Sequence, residues 1–214
     1  MWSLNLVTPP AAEPLDLETE VKPHLRVTGA EAADQAAGIS GATVAAREAC
    51  EGFTGRQLIT ATWELWLQEW CEPGITRDGA IRIPKPPLQQ QAGSPALTAG
   101  VLSVKYLDTA GAEQTLAADQ YQILAPVGPT AQRGLIFPAY GVAWPSVRCQ
   151  PAAIKIRYTA GYGATFASVP GSLRAGMKLQ VSEANERREL ATIGTIQSKN
   201  ELTAERLWWP YRSF

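Results

Sequence analysis

The sequence predicts an α+β protein in which helices at both ends of the chain flank an antiparallel, β-rich insertion. Three observations predict it. Apolar residues recur at helical spacing before residue 54 and again after residue 170, whereas the period between them is two. The central segments are short and punctuated by Gly and Pro, which favours an antiparallel sheet or small sandwich over βαβ units. A length of 214 residues, 45% hydrophobic and 18% charged, suffices for one domain with a sizeable insertion and a buried core. The parts are a helical N-terminal part over 1–56, the β-rich insertion over 57–165, and a C-terminal helix with an aromatic tail over 166–214.

Thr8-Pro9-Pro10 starts an extended, proline-stiffened lead-in that runs to Pro14. Leu17, Val21 and Leu25 then recur at i, i+4 and i+8, predicting a short helix that Pro23 either kinks or delays. A second helix is predicted over residues 30–53. Ile39, Ala42, Ala46, Ala49, Cys50 and Phe53 form its stripe, and Thr54-Gly55 stops it. Gly38 and Gly41 weaken its first half, where small residues would permit close packing against another helix. Residues 58–70 alternate, with Trp63, Trp66 and Trp70 read onto one half-buried strand. Ile81-Arg82-Ile83 is a further strand, ended by Pro84-Lys85-Pro86-Pro87, and residues 89–99 read as a polar loop. Residues 101–108 and 113–116 predict a hairpin about Ala110-Gly111, and strands follow at 121–124, 135–137 and 153–159. Helical period returns after Val169-Pro170, with Leu173, Met177, Val181 and Ala184 on one face. A proline there costs nothing, because a first-turn N–H has no intrahelical partner. Residues 191–200 are weakly patterned, and 201–209 predict a last turn or two of helix.

Composition narrows the chemistry. A single histidine, His24, cannot supply a site that needs two imidazole ligands. Cys50, Cys71 and Cys149 make no CxxC pair, so structural zinc is not expected, and free, mostly buried thiols in a reducing cytoplasm are. GxSxG, GxxxxGK[ST], HExxH and GxGxxG are absent, and Gly161-Tyr162-Gly163 is too short for a dinucleotide fingerprint. No cofactor, metal or catalytic residue is therefore expected. No apolar run approaches the ~20 residues of a membrane span. The opening Met1-Trp2-Ser3-Leu4-Asn5 lacks the basic and then apolar stretches of a secretory signal.

Charge is nearly balanced, 19 Lys+Arg against 20 Asp+Glu, but unevenly distributed. Residues 1–76 carry 11 acidic and 4 basic side chains, and residues 77–214 carry 9 and 15. Oppositely signed halves can attract copies head to tail, a contact that closes into a ring if the rotation per subunit allows. The plainer alternative is two solvated faces that never meet. The basic residues are dispersed, so tight, general nucleic-acid binding by a monomer is not indicated. At the end of the chain Leu207, Trp208, Trp209, Tyr211 and Phe214 crowd together beside Arg212. Chain ends fray unless tied down, and aromatics with arginine are the types enriched at binding hot spots. The tail either folds back on its own core or docks into a partner.

A series of short motifs runs along nearly the whole chain. Leu6-Val7-Thr8-Pro9-Pro10 through Pro14, Lys22 and His24-Leu25-Arg26-Val27 come first. Ala46-Arg47-Glu48, Glu51, Thr54-Gly55-Arg56 and Leu58-Ile59-Thr60-Ala61-Thr62-Trp63 follow. Next are Ile83-Pro84-Lys85-Pro86-Pro87-Leu88, Val104-Lys105-Tyr106-Leu107-Asp108, Gly111 and Trp144-Pro145. Tyr158-Thr159-Ala160-Gly161-Tyr162-Gly163, Val169-Pro170 and Pro210-Tyr211-Arg212 complete the series. In this order they resemble the head–tail connector (adaptor) proteins of long-tailed double-stranded DNA phages and of gene transfer agents. Pro23, Gly38, Gly41 and a long 89–100 link depart from that pattern.

The resemblance implies a small helical bundle built from the two ends of the chain, the parts together forming one connector domain. It implies a structural, non-enzymatic ring, usually of twelve subunits, beneath the portal of a DNA-filled head. That ring would extend the DNA channel and offer a platform for tail attachment. Implied partners are the portal protein, the next connector (stopper) or tail proteins, further copies of the chain, and transiently double-stranded DNA, with no membrane. The implied location is the head–tail interface of a virion assembled in the host bacterial cytoplasm. On that reading Leu207, Trp208, Trp209, Pro210, Tyr211, Arg212 and Phe214 are the candidate portal contacts, with Trp208 and Trp209 more exposed in the free protein than in the assembled one. Glu18, Glu48, Glu51, Arg56, Arg174 and Lys178 are the candidate subunit-interface residues. The competing classes are a tail terminator or other virion accessory protein, a hydrolase using His24, and a carbohydrate-binding β-module using the tryptophans of 63–70.

Overall fold

The computed structural model describes residues 2–29, 33, 35–70, 79–89, 100–186 and 200–213. The chain divides into two compact units. Residues 1–11 and 60–162 form a sheet unit; residues 12–59 and 163–214 form a helical unit.

The sheet unit contains β1 (Ser3–Thr8), β2 (Ala61–Leu67), β3 (Ile81–Ile83), β4 (Val101–Leu107), β5 (Glu113–Thr115), β6 (Tyr121–Leu124), β7 (Gly134–Pro138) and β8 (Ile154–Ala160). They make a five-stranded sheet in the order β1-β2-β8-β4-β5 and a three-stranded sheet in the order β3-β7-β6. Every ladder between named strands is antiparallel, and β2 pairs with β8 without a break from Ala61↔Ala160 to Leu67↔Ile154. The period of two turns one face of each strand inward. Leu65, Leu67, Val104, Ile154, Ile156 and Tyr158 of the larger sheet join Ile81, Ile83, Tyr121, Ile123 and Ile136 of the smaller in one apolar cluster. Burying each such aliphatic side chain contributes about 1.5–3 kcal/mol, so the alternation is the main source of this unit's stability.

Three expectations change here. Ser3–Thr8 is a strand, with Leu4 opposite Leu65 and Leu6 opposite Trp63, so the N-terminal part is not wholly helical. Trp63 and Trp66 lie three residues apart on β2, an odd spacing that sends them to opposite faces. Trp63 packs against the core, whereas the Trp66 indole N–H donates to Glu64 Oε2 at 2.7 Å. Trp70 lies past the strand, buried, stacked on Trp144 at 4.3 Å and donating to the Pro145 carbonyl at 2.8 Å. The three rings therefore form no single row of the kind a sugar-binding strand presents. Residues 90–99, the greater part of the expected loop, and Cys71 lie outside the described residues. Cys149 is exposed rather than buried, whereas Cys50 is buried and free.

In the helical unit Asp16 caps the first helical segment, its Oδ1 accepting from the Thr19 N–H at 2.7 Å and the Thr19 hydroxyl at 2.6 Å. A π-helical turn, Leu17–Val21, runs into α1 (Lys22–Leu25). Pro23 falls in the first turn of α1, so it delays the α-helix rather than kinking it. Next, α2 (Ala36–Thr54) buries Ile39, Thr43, Ala46, Cys50 and Thr54, a stripe of helical period. The Thr43 and Thr54 hydroxyls donate to the carbonyls four residues back, Ile39 and Cys50, at 2.8 and 2.7 Å. Gly55, at φ 69°, ends α2 in the left-handed conformation and returns its N–H to the Glu51 carbonyl. A Cβ on Gly38 or Gly41 would meet nothing within 4 Å, so these glycines serve no close helix approach. The C-terminal helices are α3 (Gly171–Glu186) and α4 (Asn200–Trp208), the latter continuing into a 3-10 turn, Trp209–Tyr211.

Candidate functional site

The aromatic tail divides in two. Trp208 is only 1% exposed, and its indole N–H donates to the Leu173 carbonyl of α3 at 3.1 Å. Gly176 of α3 makes the space, because a Cβ there would run into the indole nitrogen. Trp208 is thus a core residue of the helical unit, and the expectation that it lies exposed as a portal contact is corrected. Trp209, by contrast, is 58% exposed. Pro210 and Arg212 are exposed too, Leu207 and Tyr211 are half-buried, and Phe214 lies outside the described residues.

The tail is tied to the end of α2. Ser213 donates its backbone N–H to the Thr54 carbonyl at 2.8 Å, and Arg56 Nε donates to the Tyr211 carbonyl. Phe53 of α2 faces Trp208 and Trp209 at centroid distances of 6.0 and 6.2 Å. The Arg212 guanidinium lies 5.6 Å over Phe53 and 5.4 Å over Trp209. Phe53, Trp209, Pro210 and Arg212 therefore form a surface patch with the chemistry of a binding hot spot on a base anchored by backbone hydrogen bonds.

The six candidate subunit-interface residues fare differently. Arg56 is fully buried, so it belongs to the tail anchor and not to an outer surface. Glu51 is half-buried, accepting from Gln57 Nε2 at 2.9 Å, the Leu58 N–H at 3.1 Å and Arg47 Nη1 at 3.3 Å. Glu48 is exposed beside Arg47, which also reaches Glu13 at 2.9 Å. Glu18 is exposed and paired with Lys22. Arg174 Nη1 reaches Glu20 at 2.7 Å, and Lys178 Nζ lies 3.8 Å from the same carboxylate.

The acidic N-terminal helices thus meet their basic partners of α3 inside one unit, and the half-and-half charge of the sequence is not a half-and-half charge of the fold. The sheet unit carries 7 acidic and 8 basic residues, and the helical unit 13 and 11. On the outer face of the larger sheet Glu64 pairs with Arg157 directly across the ladder at 2.8 Å. Lys105 and Lys155 stand opposite each other, an unfavourable pairing that Glu113 relieves by reaching both, at 2.8 and 3.2 Å.

His24 is exposed on α1. An open groove of about 430 Å³ is lined by Leu15, Leu17, Phe166, Ser40 and Thr43, with Glu13, Asp16 and Glu18 among its walls. These acids already hold Arg47, Thr19 and Lys22. Burial, followed by the neighbouring Glu51, pushes the Cys50 thiol far above its ordinary value, which keeps it protonated and inert. No described helix is long and apolar enough to cross a membrane.

Two of the short sequence motifs meet at a joint. In Pro84–Leu88, Lys85 lies 5.6 Å over the Trp63 ring, the Tyr158 hydroxyl donates to the Pro84 carbonyl at 3.0 Å, and Leu88 is buried. Gly161 donates its N–H to the Pro87 carbonyl at 2.9 Å, so this motif and Tyr158–Gly163 are two sides of one junction. Burial, against a small opposing effect of Arg133, raises the Tyr158 phenol far above its ordinary value, which suits a fixed donor.

The chain matches no protein-family model and no curated protein sequence. Solved structures do match it, and over nearly its whole length. A chain in the neck of an empty gene transfer agent (GTA) particle, computed with C6 symmetry, superposes with a TM-score of 0.74 at 23% identity. That match covers 99% of this chain and 96% of the other. A chain in the virion of a native gene transfer agent particle gives 0.68 at 24% identity, covering 99% and 95%. A chain in the neck of a native particle, computed with C12 symmetry, gives 0.65 at 21% identity, covering 99% and 96%. The class defined is one of fold. This chain has the α+β fold of gene transfer agent neck structures, from one end to the other, as the resemblance of its motifs implied.

Proposed function

We propose that the chain is a structural head–tail adaptor, the subunit of a ring at the neck of a virion. The observation that carries this is the full-length likeness to neck structures, which extends over both units and not over one common module. The C12 and C6 symmetries with which those necks were computed support a closed ring, with twelve copies as the working number. In that role the ring sits beneath a portal protein, continues the DNA channel and receives the next connector or tail component. Contact with double-stranded DNA is transient, since strong phosphate binding would impede passage of a genome. The work is mechanical and not catalytic.

The portal contact in this reading is the patch of Phe53, Trp209, Pro210 and Arg212. Deleting residues 207–214 would test it badly, because the deletion removes buried Trp208 as well. Trp209→Ala with Arg212→Ala removes the patch and keeps the anchor. The experiment is native mass of the chain mixed with purified portal rings. Complexes of closed symmetry near one subunit per portal subunit are expected, weakened in the double variant. Binding to tail tubes without binding to portals would make the chain a tail terminator instead.

A further inference from the structure

Among the described residues the larger sheet ends on one side in a strand without the usual protection. β1, Ser-Leu-Asn-Leu-Val-Thr, carries no charge and no proline, and all its residues except Leu4 are exposed. Trp2, Leu6 and Val7 present 54%, 42% and 38% of their surface to solvent. An edge of this kind pairs readily with another strand, and soluble proteins blunt such edges with charges, prolines or short length. The opposite edge is blunted in two of these ways: β5 has only three residues, and its Glu113 holds Lys105 and Lys155. A register shift between Leu6 and Thr8 limits the open edge of β1 to its first four residues.

A second uncharged edge exists in the same unit. β6, Tyr-Gln-Ile-Leu, ends the three-stranded sheet, and Leu124 and Val127 at its end are 51% and 70% exposed. We infer that the free edge of β1 is a strand-pairing site for a second copy of this chain, which answers with the edge of β6. The inference rests on the ring reading above, because a closed ring requires two different, complementary surfaces on each copy. The two edges meet that requirement: they lie on different sheets, are of different sequence, and are both uncharged. Backbone hydrogen bonds would supply the pairing, and Trp2, Leu6, Leu124 and Val127 would cover it.

Hydrogen exchange on the chain alone and on the chain assembled with portal rings tests this. The amides of Ser3–Leu6 and Tyr121–Leu124 that point away from their own sheets are expected to slow by about tenfold or more on assembly. Cross-linking of isotopically mixed copies is expected to join β1 to β6 of another copy. Leu6→Lys and Leu124→Lys should each prevent closure while the free chain keeps its melting temperature, and Tyr140→Lys, at a fully exposed loop position, should not. If a lysine variant unfolds, exchange in the wild type decides. Rings without slowed exchange at β1 overturn the inference and leave the adaptor reading intact, as do cross-links from β1 to portal alone. Absence of any ring, with or without portal, overturns both.

Discussion

In the sheet unit Ile81, Ile83, Val104, Ile123, Ile136, Ile154 and Ile156 carry the core, and the ion pairs of the larger sheet stay on its outer face. In the helical unit a buried guanidinium, two buried threonine hydroxyls and one indole share that work with the aliphatic stripes of α2 and α3. The difference follows from geometry. A two-residue period hides a whole strand face, whereas a short helix hides a narrow stripe and leaves its ends to be satisfied by side chains. The helical unit is accordingly sensitive at single points, and the sheet unit is more evenly held.

The largest break in that comparison is Trp208→Ala, which empties an indole-sized volume and removes the indole N–H donated to the Leu173 carbonyl. It is expected to cost about 3–5 kcal/mol. Native-state hydrogen exchange should show the loss at α3 amides with little change in β8. An equal loss at both would mean that the units share one unfolding transition. Next comes Arg56→Ala, which strips the Tyr211 carbonyl of a charged donor and is expected to cost about 1.5–3 kcal/mol in denaturant unfolding. Arg56→Met should cost less, because both variants remove the buried charge and the bond but methionine fills the volume that alanine leaves empty. A larger loss with Met than with Ala would contradict that account.

A smaller effect sharpens the contrast within the helical unit itself. Gly176→Ala pushes a methyl group into the Trp208 indole and should destabilise by about 1–3 kcal/mol. Gly38→Ala meets open space within α2 and should stabilise by about 0.5–1 kcal/mol. The same substitution thus carries opposite signs in two helices, and thermal melts of the two variants read it directly.

Much of this was legible in the sequence, because strands and helices announce themselves by period. The spans of β3 and β6, the start of α3 after Pro170 and the end of α2 at Gly55 follow from alternation, helical spacing and a glycine stop. β1 is not legible as a strand although Leu4 and Leu6 alternate with Ser3 and Asn5, because its partner lies about sixty residues away and nothing local marks the pairing. The tail showed its composition but not its division. Whether Trp208 or Trp209 turns inward depends on Gly176 and the Leu173 carbonyl of another helix, which no spacing rule connects to residue 208. The charge split misled for a related reason. Sequence halves are not spatial halves, and Glu20 finds Arg174 across 154 residues.

The least effect is expected from acid, and it should fall more on the sheet unit. Partial burial pushes the Glu64 carboxyl up, but hydrogen bonds from Trp66 and Arg157 and the charges of Arg157 and Lys155 outweigh it and hold the group below 4.5. Hydrogen bonds from Lys105 and Lys155 hold Glu113 below that value as well, and Gln114 with the backbone of Ala112 does the same for Asp108 relative to 3.8. In the helical unit the Thr19 hydroxyl and backbone N–H lower Asp16 in the same sense. A carboxylate with a depressed folded pKa adds stability that is present above its unfolded value and lost as pH falls through the folded one. Sheet-unit stability should therefore be flat above about pH 5 and decline below about pH 4.5. The Glu64–Arg157 pair, with Glu64 half-buried and Arg157 exposed, contributes on the order of 1 kcal/mol or less after screening by solvent. Melting curves between about pH 6 and pH 3 should show a shallower decline for Glu64→Gln, and also for the wild type in ~1 M salt, where the Debye length is near 3 Å. An unchanged acid slope in both would take the sensitivity away from the ion pairs of the larger sheet and place it in hydrogen-bonded carboxylates such as Asp108 and Asp16, one in each unit.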